Sequence, residues 1–289
     1  MKSTVSVVIP TIGRESVVRA VRSAAGQTYP VSIVVVVDIP DAEGVVRQQL
    51  REFDTTIITT TGRVGGSAAR NLGAAVGDSD YIAFLDDDDW WEPTKIEEQL
   101  ASVRGDEAPA MALSATAMFF HRKTSTEVIP SIPYSGDVED AASYLVTRSG
   151  IKFGNRAMQT SGLLVSRKLH ERVLWDESLP KHQDWDYIAR ASRIESLELG
   201  WVPEPLVHVQ QDSHGSISKK SNYEASLRWL RTHEKHMSRR ARADFVCSHV
   251  LRASLAQRSP KGIATAAREI VKAGVPHGAA LIVGLSGIR

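Results

Sequence analysis

Apolar and polar positions alternate in blocks along this chain, and over the first hundred residues the blocks take turns between two periods. Val5–Pro10, Val31–Val37 and Thr55–Thr60 are short runs rich in β-branched residues, and they read as strands. Glu15–Ala25 sets Val17, Val18, Val21 and Ala24 on one helical face and Arg19 and Arg22 on the other, and Ala42–Phe53 reads as a second helix. A turn at Gly62–Gly66 leads into a helix that Ser67 would cap and that runs through Val76. Tyr81–Leu85 follows, an apolar run of the kind found in strands buried on both faces. Pro93 with Lys95–Val103 predicts the next helix. Strands separated by helices of this length imply βαβ crossovers and a mainly parallel sheet.

Further on, Ala110–Phe120 predicts a central strand, Ser131–Gly136 a loop and Val138–Val146 a helix. Glu198–Val202 and Leu206–Val209 read as two more strands, and Gln210–Ser218 as a loop. After Lys219 the pattern is helical throughout, over Tyr223–Met237, Arg239–Ala256 and Gly262–Ala273. The expected organisation is an α/β body over residues 1–218 and a helical region over 219–289.

Charge sharpens that division. The 289 residues carry a net charge of +1, yet the part after Ser218 holds roughly +10 and the part before it about −9. A single cysteine, Cys247, rules out an internal disulfide framework and a zinc cluster. The opening residues lack a signal-peptide pattern, and eighteen apolar residues never run together, so a cytoplasmic protein is expected. The apolar stretch around Ala279–Ile288 is too short to span and contains glycines.

The candidate chemistry lies where the strands end. Tyr81–Leu85 stops at Asp86-Asp87-Asp88-Asp89-Trp90-Trp91. Four adjacent carboxylates repel one another unless a cation sits among them, and Mg²⁺ takes such oxygen ligands jointly with substrate phosphates. The run is also readable as a solvated acidic turn in which Asp89 or Thr94 caps the next helix. Parallel strands would bring Pro10-Thr11-Ile12-Gly13-Arg14, Asp38 and Arg63–Asn71 to the same edge, the edge at which open α/β sheets bind ligands. A carboxylate there can accept the imide N–H of uracil or thymine, while loop amides and Arg70 can meet phosphate. The helix starting near Ser67 would point its positive end the same way.

Three blocks, Val5–Thr11, Gly66–Gly73 and Phe84–Trp91, resemble successive blocks of the family 2 glycosyltransferases. His182-Gln183-Asp184-Trp185-Asp186-Tyr187 resembles that family's catalytic-base segment, so the likeness spans about residues 3–218. It implies a GT-A-like single α/β/α sandwich, followed here by a C-terminal helical extension. It also implies inverting transfer from a UDP- or dTDP-type nucleotide-diphosphate sugar, with Mg²⁺ or Mn²⁺, in polysaccharide or glycoconjugate synthesis.

Carried over residue by residue, Asp38 would contact the base, although Asp38-Ile39-Pro40-Asp41 departs from the usual pattern. Pro10, Thr11, Arg14 and Arg70 would line the donor. Asp86 and Asp88 would be the outer acids of the D-x-D element, with Asp87 or Asp89 as alternatives in register. Asp87 is placed with the donor, and Asp88 with the metal. Asp184 would be the general base, with Asp186 as fallback, because the two point about 200° apart on a helix. Trp185 would stack on a sugar or be buried. Arg156–Val165 resembles the strand lining the acceptor side. His214, in a loop resembling one that closes over the diphosphate, would complete the metal shell.

The acceptor would be a saccharide or a lipid-linked saccharide. The basic region 219–289 would then contact the inner face of a membrane, or serve as a helical cap or a homodimer contact. No nucleic-acid motif accompanies it. Rival readings are a Mg²⁺-dependent phosphohydrolase, a sugar-nucleotide pyrophosphorylase and a non-catalytic saccharide-binding module.

Overall fold

A computed structural model describes residues 2–103, 111–136, 140–148, 150–151, 155–211 and 222–288. In chain order the elements begin β1 (Val5–Thr11), α1 (Val17–Ala25), β2 (Ser32–Val37), α2 (Glu43–Gln49), β3 (Thr56–Thr59), α3 (Gly66–Ala74), β4 (Tyr81–Phe84) and β5 (Trp90–Trp91). They continue with α4 (Lys95–Ser102), β6 (Met111–Arg122), β7 (Ser125–Ile129), α5 (Ala141–Val146), β8 (Leu164–Ser166), α6 (Arg167–Val173), α7 (Gln183–Ala191) and β9 (Leu197–Gln210). Helices α8 (Tyr223–His233), α9 (Arg239–Phe245), α10 (Arg252–Ala256), α11 (Pro260–Ala273) and α12 (Gly278–Leu285) complete the chain. The polypeptide divides into two compact units, each discontinuous in sequence: 1–129, 158–177 and 194–213 form one, and 130–157, 178–193 and 214–289 the other.

The first unit holds the sheet, in the order β3-β2-β1-β4-β8-β6-β9-β5 with β7 paired to β6. The expected parallel ladder runs through β3-β2-β1-β4; beyond β4 the sheet is mixed, with β8 antiparallel to β4 and β6, and β9 parallel to β6. Val7, Val8, Ile9, Val35, Val36, Ile82 and Phe84 are wholly buried, which is why these strands read as continuous apolar runs. Helix α3 lies directly on β1 and β2. A Cβ at Gly73 would collide with Val8 Cγ1 and come within 2.8 Å of Val36 Cγ2.

Three expectations are corrected here. Helix α3 begins at Gly66, so Ser67 is inside it and buried; the preceding cap position is Gly65, whose φ of 90° suits glycine. Arg156–Val165 is not a strand: Thr160–Gly162 turns as a 3₁₀ helix, and only Leu164–Ser166 pairs. Buried donors hold that turn, since Gln99 Nε2 bonds Gly162 O at 2.8 Å and Lys95 Nζ lies 3.3 Å from Leu163 O. The two strands expected over 198–209 are one, β9. Pro203 and Pro205 sit where its register with β6 shifts, and Thr116 Oγ1 bonds Glu204 O at 2.7 Å.

The second unit is helical. Asn222, Ser238 and Ser259 cap α8, α9 and α11 through bonds from Ala225 N, Ala241 N and Gly262 N. A π-helical turn over Val246–Leu251 joins α9 to α10. Helix α12, which periodicity had not predicted, follows α11.

Candidate active site

Because β1 lies between β2 and β4, the loops after all these strands start side by side: Asp38 N bonds Thr11 O at 2.8 Å, and Leu85 N bonds Val8 O at 3.1 Å. Pro10 and Thr11 end β1 in register with Val36 and Val37. Asp38, which ends β2, is buried. Its Oδ1 accepts from Thr60 Oγ1 at 2.8 Å and Val64 N at 2.9 Å, and its Oδ2 from Gly65 N at 3.0 Å. Asp38 thereby shapes the loop that starts α3.

The four-aspartate run alternates. Asp87 and Asp89 are each only 4% exposed, whereas the side chains of Asp86 and Asp88 are 37% and 20% exposed. Asp87 accepts from Thr11 Oγ1 at 2.6 Å and Arg14 Nη1 at 2.7 Å, and Gly13 N in turn bonds Thr11 Oγ1 at 3.1 Å. Asp89 accepts from Ser161 Oγ at 2.6 Å and Gln210 N at 3.0 Å. Ser161 Oγ also accepts from Asp86 N at 3.1 Å, so one hydroxyl ties both ends of the run. Neither Asp89 nor Thr94 caps α4 through its side chain.

Arginines brace the open acids. Arg70 Nη2 bonds Asp86 Oδ1 at 2.5 Å, with the guanidinium over the Trp175 ring at 4.9 Å. Arg70 Nε and Nη1 are buried and have no hydrogen-bond partner among the described residues. Arg14 Nη1 stands 3.8 Å from Asp88 Oδ2. Arg19 Nη2 bonds Asp88 O at 2.7 Å and lies 3.7 Å over Trp90, whose other neighbours are the stacked rings of His208 and His121.

Burial raises the Asp87 carboxyl above the usual range against the opposing pull of Thr11 and Arg14. It raises Asp89 well above that range, and the charges of Asp86 and Asp88 add to the effect.

Among the described residues no three His, Cys, Asp or Glu side chains gather as a metal group. The donor set that is present, two half-open carboxylates two residues apart, suits a hard cation bound through one or two carboxylates together with substrate phosphates. His214 lies outside the described residues.

Asp184 belongs to the second unit, in the first turn of α7, half-exposed, with its Oδ1 accepting from Trp185 N at 2.9 Å. Asp186 is buried and engaged by His233 Nε2 at 2.9 Å and by the Arg190 guanidinium, Nε at 2.7 Å. Trp185 is buried and stacked on His182, ring centroids 4.8 Å apart, not presented for a sugar. His182 starts the helix in a left-handed conformation (φ 61°), with its Nε2 2.9 Å from Ser226 Oγ.

Residues 6–143 match the model of "Glycosyl transferase family 2". The chain carries a family 2 glycosyltransferase domain. That match runs from β1 into α5 and includes the acid run with Thr11, Arg14, Arg19 and Arg70, but not Ser161, Trp175, His208 or Gln210.

Relatives of the family 2 domain agree. Over 246 residues the chain is 26% identical to the amylovoran biosynthesis glycosyltransferase AmsB of Erwinia amylovora, covering 81% of this chain and 79% of the relative. The crystal structure of S. aureus TarS superposes with a TM-score of 0.61 at 13% identity; it covers 93% of this chain, which spans only 54% of TarS. TarS 1–349 in complex with UDP-GlcNAc gives 0.56 at 12% identity, over 93% and 89% of the two chains. The mannosyltransferase PcManGT of Pyrobaculum calidifontis, in complex with GDP-Man and Mn²⁺, gives 0.51 at 15% identity, over 99% and 80%. The fold is GT-A-like, with C-terminal helices, as the sequence blocks implied.

Two groups around the acid run escaped the sequence reading. Arg19 looked like a solvent-facing helix charge and instead holds the backbone of Asp88. Ser161 sits in a segment read as strand, 75 residues from Asp86, and nothing local marks it.

Proposed function

We propose that this glycosyltransferase is inverting and metal-dependent, and that it moves a sugar from a nucleotide diphosphate to a hydroxyl acceptor. The observation that carries the reading is the alternation in the acid run. Asp87 and Asp89 are consumed by the fold, and Asp86 and Asp88 are left on the open side. Asp86 and Asp88 are then the two acids of the donor site, with Asp88 the metal ligand. A bound Mg²⁺ or Mn²⁺ supplies charge neutralisation for the departing diphosphate.

The protein's own groups do the rest. Thr11, Arg14 and Arg70 hold the acids in place, and Pro10 and Asp38 shape the loops against the nucleotide. Two of the three donors to the Asp38 carboxylate are loop amides, which favours a role through the loop over direct base readout. In transfer the acceptor oxygen forms a bond to the anomeric carbon as the bond from that carbon to the diphosphate oxygen breaks. The electron pair leaves with the diphosphate, and the acceptor proton passes to the Asp184 carboxylate. The pairing of Asp186 with His233 and Arg190 favours Asp184 over Asp186 as the base.

The named ligands of TarS and PcManGT support a nucleotide-sugar donor, and the name of AmsB supports a biosynthetic saccharide acceptor, free or lipid-linked. Residues 1–218 would supply the transfer chemistry and 219–289 the helical region.

The test is a thermal-shift panel of UDP-, dTDP- and GDP-sugars with and without Mn²⁺. A ligand at a hundred times its dissociation constant adds about 2.7 kcal/mol of stability. A shift that requires both sugar nucleotide and metal is expected. No shift with any donor would overturn the reading.

A further inference from the structure

Helix α12 is built the reverse of a surface helix. Its buried positions are small or single-branched (Ala280, Val283, Gly284, followed by Gly287), and its large side chains Leu281, Ile282 and Leu285, with Ile288 in the 3₁₀ turn that follows, are 43–68% exposed. At about 100° per residue Leu281, Ile282 and Leu285 share one side of the helix and Ala280, Val283 and Gly284 the other. Packing enforces this orientation. A Cβ at Gly284 would stand 2.7 Å from Cys247 O, and one at Gly287 would collide with Arg252 O. The small face is thus committed to the π-helical turn Val246–Leu251 and to α10, and the apolar face has to point outward.

The patch is not an isolated oddity. Of the thirteen large apolar side chains exposed among the described residues, six lie between Val271 and Ile288. Helix α11 packs on the same π-helical turn and contributes Val271, 82% exposed. Along the chain from Arg252 to Ile288 the exposed charge has one sign. Arg252, Arg258, Lys261, Arg268 and Lys272 are exposed. The only carboxylate between residues 252 and 288, Glu269, is buried under Arg231 at 2.7 Å and Lys272 at 3.1 Å.

We infer that the outward face of α12 docks on an anionic phospholipid bilayer, with the exposed Lys and Arg of residues 252–272 meeting the headgroups. An apolar face on a stretch of chain that exposes five cations and no acid of its own is complementary to that surface. It is not complementary to a second copy, because an isologous contact would bring the same cations toward each other. A helix of eight residues is about 12 Å long against a hydrocarbon core of about 30 Å, so it lies on the surface and does not span. The inference is independent of the transfer chemistry proposed above.

Co-sedimentation of the full chain with phosphatidylglycerol-containing and pure phosphatidylcholine vesicles tests it. The wild type should pellet with anionic vesicles at low salt, bind neutral ones far less, and be released by high salt. Leu281→Ser/Leu285→Ser/Ile288→Ser alters only exposed side chains and should weaken vesicle binding about tenfold or more, with an unchanged melting temperature. Lys261→Glu/Arg268→Glu should abolish the preference for anionic vesicles.

Two results would overturn the inference. One is a folded wild type that stays in the supernatant with anionic vesicles at low salt. The other is a dimer in sedimentation velocity that the triple-serine variant dissociates while vesicle binding is unaltered. Donor affinity, measured on the same samples by calorimetry, is read separately, so failure of one reading leaves the other standing.

Discussion

His233 Nε2 donates to Asp186 Oδ1 at 2.9 Å. The proton can be placed because Arg193 Nη1, which has no acceptor capacity, approaches His233 Nδ1 at 3.0 Å, so Nδ1 accepts and Nε2 carries the hydrogen. Arg193 also grips Asp140, the cap of α5, through Nε at 2.9 Å and Nη2 at 3.0 Å. A chain of polar contacts thus joins α7, α8 and α5. Burial pushes the Asp186 carboxyl up, but the hydrogen bonds from His233 and Arg190 and the charge of Arg190 outweigh it and hold Asp186 ionised below its usual range.

The two acids of α7 should therefore fail differently. Asp184→Asn is expected to leave the melting temperature and donor affinity intact while transfer falls about 10²–10⁴-fold. Asp186→Asn leaves a buried network incomplete and should cost about 1–3 kcal/mol of stability, read by urea unfolding. An Asp186→Asn enzyme that is fully stable yet inactive would reverse the assignment.

In the acid run, the open and buried aspartates should separate in the same way. Asp88→Asn, or EDTA on the wild type, is expected to weaken nucleotide-sugar binding in calorimetry with little change in unliganded stability. Ser161→Ala removes the hydroxyl shared by Asp86 N and Asp89, and should lower stability by about 1–3 kcal/mol as well as donor affinity. Equal donor affinity with and without metal would count against the metal role.

His170 gives the first unit an acid-sensitive element. Burial, and after it the charge of Arg167, bring its pKa down to about 4, so the folded state keeps it neutral where the unfolded chain, at 6.5, takes a proton. Stability is fully present above about pH 6.5 and is lost as pH falls toward 4, by an amount on the order of 3 kcal/mol. Urea unfolding at about pH 7.5 and pH 5 should show the loss, and His170→Leu should make it smaller. An unchanged pH slope in that variant would refute the account.

Gly73→Ala should destabilise by about 1–3 kcal/mol, because the added methyl has no room between α3 and Val8 of β1. Chemical denaturation reads this directly. A neutral result would mean that α3 can move off the sheet.

The strands β1 to β4 and their helices were legible because period, β-branching and bounding turn residues are local properties. The identity of the acid run was legible for the same reason. Which acids of that run face outward was not, since the side of each aspartate is decided by Thr11, Arg14, Ser161 and Gln210, between 72 and 121 residues away. The start of α3 was misplaced at Ser67 because Asp38, in another loop, supplies the acceptors that let Gly65 open the helix. Trp90 and Trp91 form a strand only because β9 returns beside them.

The C-terminal region shows the same division. Its basic excess and the helical pattern of α8 to α11 belong to the sequence alone. That the apolar stretch after Gly278 is a helix with its large side chains outward is a tertiary fact. Glycine and alanine fit against the backbone of residues 247–252 and leucine and isoleucine do not, so packing sends the more hydrophobic face to the surface.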